Sequence, residues 1–349
     1  MIFHAIGLMS GTSLDGLDIC YAKFTKENDA WKYKILEAET ISYSEYWEEK
    51  LGNAIHRKAD DLCALHSEYG FYLGEKVEEF TAKYSLTKID LIASHGHTVF
   101  HQPQRKFTLQ IGDGRAINLL NKIPVVYDFR SQDVLLGGNG APLVPIGDEL
   151  LFSEFDACLN LGGFSNISFK NDGKRIAFDI CAVNIVLNEF AKKLGKSYDE
   201  NGNFARRGTV NHQLLNDLNQ LDFYNLCPPK SLGAEWVNEH VLPLLQKDNS
   251  ENILATFTQH AAEQIAAVFN EFGFKKVLFT GGGTYNSFLL EKVAEFSRSE
   301  IIIPENRLID FKEALIFAFM GVLKFNNNIN VLSSATGSTK DHSSGIIIQ

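Results

Sequence analysis

Apolar positions along the chain follow two spacings, and their order organises it. FHAIGLMS (3–10) is a continuous apolar run of the kind a buried strand makes. A glycine-rich turn separates it from LDICYAKF (17–24) and WKYKILEAETISY (31–43), two further β-like segments. Residues 45–84 then carry apolar side chains at three- and four-residue intervals, which predicts a long helical region. IDLIASHG (89–96) and IPVVYDF (123–129) return to the strand pattern. The first half reads β-β-β-α-β-loop-β.

The second half repeats that order. FDACLNLGG (155–163) runs into a glycine turn, FSNISFK (164–170) returns, and KRIAFDI (174–180) follows the tight turn NDGK. The helix NIVLNEFAKKLG (184–195) ends at Gly195, a suitable C-cap. A long helix (251–273), the strand KKVLFT (275–280), a GGG, a helix (286–296), the short strand EIIIP and a closing helix (310–325) complete it. Repetition at this scale predicts two α/β domains of like topology facing each other across a ligand-binding cleft. The boundary falls in the Gly/Pro-rich LLGGNGAPLVP (135–145). The expected domains are 1–135 and 136–349, with the C-terminal helix and tail, about 311–349, placed to pack back on the first.

The chain has 349 residues, 45% hydrophobic and 22% charged, enough for a real core in each of two domains. Its net charge of −10 and its lack of a Lys/Arg cluster disfavour nucleic acid and favour a small-molecule partner. Five cysteines without a C-x-x-C pair read as reduced thiols in a cytoplasmic protein. The N-terminus has no basic region and reaches Asp15 too soon for a signal peptide, and no apolar window of about 18 residues predicts a membrane span.

Three glycine clusters carry the candidate chemistry. In MSGTSLDGLD, Gly11, Thr12, Ser13 and Gly16 offer N–H groups and hydroxyls that suit an anion. Asp15 and Asp18 beside them would repel a phosphate unless Mg²⁺ intervened. Taken alone, the stretch reads more readily as a hairpin turn. NLGGFSN (160–166) holds the matching place in the second half, so the two loops could grip one phosphate chain. TGGGTYN (280–286) ends a strand before a helix, where an anion is favoured.

Other residues stand out by type and place. SHGHTVFHQP contains His95, His97 and His101, which suit either a metal pair or polar contacts to a substrate. Asp128, Arg130 and Asp133 follow a buried strand directly. Asp179 lies between Phe178 and Ile180, as an edge-strand charge or a general base. Glu313 stands on the closing helix and reads by default as a surface residue.

GLMSGTSLDGLD, ASHGHTVFHQP, LQIGDG, VVYDFRSQDVLLGGNGAPLVP, NLGGFSNIS, TGGGTYN, EALIFAFMGV and SATGS occur in the order of one family. Over essentially its whole length the chain resembles the 1,6-anhydro-N-acetylmuramic acid kinases, bacterial sugar kinases of peptidoglycan recycling. The resemblance implies an actin-like ATPase (ribonuclease H-like) fold in both domains, and ATP and Mg²⁺ as cofactors. It implies that water opens the 1,6-anhydro bridge and that the freed O6 takes the γ-phosphate, giving N-acetylmuramic acid 6-phosphate. It assigns Asp179 as the base that activates the water. It assigns Gly11, Thr12, Ser13, Leu14, Asp15, Gly16, Leu17 and Asp18 to the nucleotide. Gly162, Gly163, Asn166, Gly281, Gly282, Gly283 and Asn286 are placed with that nucleotide, and Asp15 with the metal. His95, His97, Arg130 and Glu313 are placed on the sugar side. The family also suggests a homodimer.

Two departures accompany the match. The usual D-T-G-P-G-N reads DICAVN (179–184), and the usual S-H-G-Q-T reads SHGHT, with His97 in the Gln position. They keep two alternatives open: a kinase for another 1,6-anhydro sugar such as levoglucosan, or a non-catalytic sugar- or nucleotide-binding relative.

Overall fold

A computed structural model describes residues 1–11 and 14–349, apart from the side chain of Lys247. Its strands are β1 (Ile2–Ser10), β2 (Leu17–Glu27), β3 (Ala30–Ile41), β4 (Leu91–Ser94), β5 (His97–Gln102), β6 (Phe107–Ile111) and β7 (Val125–Tyr127). They continue with β8 (Ala157–Leu161), β9 (Phe164–Asn171), β10 (Lys174–Ala182), β11 (Lys276–Thr280), β12 (Glu300–Ile302) and β13 (Ile346–Ile348). The chain divides into two compact units: Met1–Leu151 with Phe311–Gln349, and Phe152–Asp310.

The first unit is built on a sheet ordered β13-β7-β4-β1-β2-β3. β1, β4 and β7 run parallel, while β2 and β3 form an antiparallel meander with β1. Alternation along β2 explains both faces. Leu17, Ile19 and Tyr21 enter a core shared with Tyr69, Leu73, Val77 and Phe80 of the helix Ala59–Lys83. Phe24 points the other way and meets Phe319 of the closing helix, ring centroids 5.3 Å apart.

The second unit has the order β10-β9-β8-β11-β12, again an antiparallel meander joined to a parallel set. The first unit's β3-β2-β1-β4-β7 is the same arrangement, so the duplication is one of topology. The helix Ser250–Phe272 buries Phe257, Ile265 and Phe269 against Phe279 and Leu159 of this sheet. NDGK forms the expected turn, with Asp172 and Gly173 at positive φ.

Three expectations change. The helical region 45–84 is two helices, Glu45–Gly52 and Ala59–Lys83, with a short 3₁₀ turn between them. Gly52 and Asn53 are poor helix residues, and the chain is extended again at Lys58. The loop before β7 contains the hairpin β5–β6 and the helix Gly114–Asn121. The division between units falls at Leu151 rather than 135. The helix Pro145–Leu151 stays with the first unit because buried Asp148 pairs with Lys312 at 2.7 Å. The tail belongs to that unit too, with β13 extending its sheet beside β7.

Three buried histidines are held uncharged. Burial lowers His97 to about 4 and His260 to about 3, and holds His95 well below the usual range. The unfolded chain therefore binds more protons between about pH 6.5 and 4, so these residues make stability fall on acidification. Each contributes about 1.4 kcal/mol per pH unit across that window. His260 hydrogen-bonds Asn219 (2.6 Å) and Tyr224 (2.8 Å), partners that an amide can also serve. Urea unfolding of His260→Gln between pH 7 and 5 is expected to show a shallower loss of stability than the parent; equal slopes would contradict this.

Candidate active site

In the second unit, the ends of four strands bring polar side chains into one cross-strand row. Thr280 of β11 pairs with Asn160 of β8, Asn160 with Asn166 of β9, and Asn166 with Asp179 of β10. Directly paired residues share a face of the sheet. Asp179 sits on the edge strand, just before a bulge that ends regular pairing. The open edge is occupied by the segment after Pro229. The Asp179 N–H donates to the Lys230 carbonyl (3.0 Å), and the Leu232 N–H donates to Asp179 Oδ2 (2.8 Å). Burial raises the Asp179 pKa above the ordinary aspartate value, and the Leu232 N–H opposes this only in part.

The glycine turns meet around this row. Gly281 has φ +83°, and a Cβ there would lie 2.4 Å from Asn160 Oδ1 and 2.9 Å from the Leu161 carbonyl. A side chain is excluded by both conformation and space. Gly283 packs on Leu161 and toward Asn184, whose own N–H reaches the Gly162 carbonyl (3.3 Å). Gly162, Gly163, Gly281, Gly282 and Gly283 thus gather with Asn160 and Asn184. A Cβ on Gly282 would meet nothing within 4 Å and one on Gly163 only the Ile185 Cβ at 3.8 Å, while the Gly163 carbonyl accepts from the Val183 (2.8 Å) and Ile185 (3.2 Å) N–H groups. Asn286 is set differently: its side-chain oxygen caps the helix Ser287–Phe296 by accepting from the Leu289 N–H (3.1 Å). Asn160 was not singled out by sequence, although a polar residue ending an apolar strand was a usable signal.

The unfamiliar segment DICAVN turns inward. Ile180, Cys181, Ala182 and Val183 are all buried in the core of the second unit, at 2% exposure or less. Only Asp179 and Asn184 at its ends are half-buried. The four inner residues are core, and the two end residues stay partly accessible.

In the first unit, the loop between β1 and β2 carries the opening motif. Thr12 and Ser13 lie outside the described residues. Gly11 and Leu14 are half-buried and Asp15 is exposed. Leu17 is core, and Asp18 Oδ1 accepts from the Thr40 hydroxyl (2.5 Å).

A second group in this unit centres on Arg130. Its Nε–H donates to His95 Nε2 (2.9 Å) and its Nη1–H to the Gly140 carbonyl (2.6 Å). His95 Nδ1 lies 2.8 Å from the Gly96 carbonyl, so it carries the proton and the ring is the neutral tautomer. Burial lowers Arg130 to about 10, while Glu313 and Asp133 act in the opposite sense. Glu313, expected at the surface, is half-buried, and burial raises its pKa against the pull of Arg130 and Lys312. A cation and a carboxylate sharing one electrostatic environment can receive the acceptor and donor faces of a hydroxylated ligand.

His97 is 4% exposed. Its Nδ1 lies 3.3 Å from Ser10 Oγ, which also accepts from the Tyr43 hydroxyl (2.8 Å), and Tyr43 meets Tyr69 at 2.6 Å. This buried chain, from His97 to Tyr69, passes through Ser10, next to the glycine loop. Both ring nitrogens of His95 are engaged within the protein, which removes it as a metal ligand. Among the described residues, no group of three or more His, Cys, Asp or Glu is placed to hold a metal.

A meander-plus-parallel sheet made twice, with glycine turns at strand ends and a carboxylate on the third strand, defines a two-unit α/β protein of duplicated topology. The family profile "Anhydro-N-acetylmuramic acid kinase" matches residues 3–349. The chain is 32% identical to an anhydro-N-acetylmuramic acid kinase of Bacillus cereus (strain AH187), over 97% of each chain. It is 31% identical to that of Bacillus thuringiensis (strain Al Hakam), over 96% of each. The chain belongs to the anhydro-N-acetylmuramic acid kinase family, and is a sugar kinase. Among solved structures it is similar to the activator of the 2-hydroxyisocaproyl-CoA dehydratase from Clostridium difficile with bound ADPNP. There the TM-score is 0.42 and the identity 13%, covering 93% of this chain and 97% of that one. A ROK hexokinase from Thermus thermophilus gives a TM-score of 0.41 and 11% identity, covering 92% and 100%. No helix among the described residues is long and apolar enough to cross a membrane.

Proposed function

We propose that the protein uses ATP to open 1,6-anhydro-N-acetylmuramic acid with water and to phosphorylate the freed O6. The observation that carries this reading is Asp179. We read it as the base of a sugar kinase, because it is half-buried, with a raised pKa and one oxygen held by Leu232. Water attacks the anomeric carbon, its proton passes to Asp179, and the bond from that carbon to O6 breaks. The electron pair stays on O6, which attacks the γ-phosphorus as the bond to the β-phosphate oxygen breaks and ADP leaves. Backbone N–H groups of the glycine turns would bind phosphate oxygens, apart from those of Gly162 and Gly281, which donate to the Phe164 and Ile309 carbonyls. Arg130 would donate to the sugar and Glu313 would accept from it. Asp15, exposed beside the glycine loop, suits Mg²⁺, which one or two carboxylates and substrate phosphates commonly hold. The ion would neutralise phosphate charge.

Incubation with Mg-ATP and anhydro-N-acetylmuramic acid in ¹⁸O-water is expected to give ADP and a 6-phosphate carrying one ¹⁸O at the anomeric carbon, read by mass spectrometry. Turnover of levoglucosan in preference would overturn the substrate, and sugar binding without ADP release would overturn the activity. The base must be ionised to act, so kcat/KM should fall as pH drops through the raised Asp179 pKa. The acid limb is expected above the range of an ordinary aspartate; a flat profile down to pH 4 would remove Asp179 from the role.

A further inference from the structure

Arg130 is held by a device that reaches into the C-terminal tail. Gly140 accepts from Arg130 Nη1–H through its carbonyl (2.6 Å) and donates its own N–H to Asp133 Oδ2 (2.7 Å). The other oxygen, Asp133 Oδ1, accepts from the Thr336 hydroxyl (2.7 Å). Asp133 is fully buried and Thr336 is 1% exposed, so water does not compete for these bonds. The two segments are also stapled through the backbone: Asn139 N–H to the Thr336 carbonyl (2.8 Å) and Thr339 N–H to the Leu136 carbonyl (3.2 Å). There is no slack, since a Cβ on Gly138 would lie 2.2 Å from Asp133 Oδ2 and 2.8 Å from Ser338 Cβ. With Nε on His95 and Nη1 on Gly140, two of the three guanidinium nitrogens are fixed by protein. Nη2 is the nitrogen that the reading of Arg130 as a sugar contact would use.

We infer that Asp133 and Thr336 are positioning residues for Arg130, acting through the Gly140 peptide, so that the SATGS stretch of the tail sets how the sugar is held. This rests on the reading of Arg130 as a sugar contact. Small displacements of a positioned group can cost up to about 100-fold, so loss of one anchor is expected to weaken sugar binding roughly 10-fold. Thr336→Val keeps the shape and removes the hydroxyl, while Thr336→Ser restores it. Calorimetry on the full chain would measure the Kd for anhydro-N-acetylmuramic acid in each variant, in Arg130→Met and in the Arg130→Met/Thr336→Val double variant. The expected result is a roughly 10-fold weaker Kd for Thr336→Val, recovery in Thr336→Ser, unchanged ATP affinity, and no further loss in the double variant. A lower Tm without a change in sugar Kd would overturn the inference, as would an equal loss from Thr336→Val in both backgrounds. If Arg130→Met itself leaves the sugar Kd unchanged, the reading of Arg130 fails instead.

Discussion

Asp179→Asn is expected to lower turnover by about 10²–10⁴-fold while leaving the KM for ATP nearly unchanged. The asymmetry follows from geometry. An asparagine oxygen can still accept from the Leu232 N–H, which is 2.8 Å from Asp179 Oδ2, so the bulged edge strand keeps its anchor. The amide cannot take a proton from water, and that is the only function removed. The glycine turns that we assign to the phosphates are untouched. The measurement is steady-state release of ADP in the presence of the sugar, with thermal unfolding as a control for folding. Turnover within tenfold of the parent would remove Asp179 as the base.

Asp133→Ala is expected to destabilise the first unit by about 3 kcal/mol. The carboxylate is fully buried and accepts from the Gly140 N–H and the Thr336 hydroxyl, each at 2.7 Å. Hydrogen bonds to a charged group contribute about 1.5–3 kcal/mol each, and the substitution leaves both donors buried without their acceptor. At about 2–4 °C per kcal/mol for a body of this size, Tm should fall by about 6–12 °C. Calorimetric unfolding would check this, and a shift under about 2 °C would mean that the tail is not held through Asp133.

Much of this architecture was legible beforehand because the elements that carry it are long and regular. β1 and β2 read directly as apolar runs, since one face of each packs on a helix and the other is covered as well. The hairpin β5–β6 did not. His97, His101 and Gln102 dilute its alternation, and its pairing depends on a separate two-stranded sheet. The helix break near Asn53 was equally hidden, because apolar spacing continues across it.

Chemistry divides along the same line. By itself, the order of residues determined the duplicated α/β topology, the family, and Asp179 as the group to watch, since each depends on local pattern or motif order. Only the tertiary structure decided that Asn160 joins Asn166 and Asp179 in one row, that DICAVN turns its new side chains inward, and that Glu313 is half-buried. It alone brought Thr336 to Asp133, residues 203 positions apart in the chain. Sheet register and burial are set by contacts between distant segments, and no local pattern along the chain encodes which of them meet.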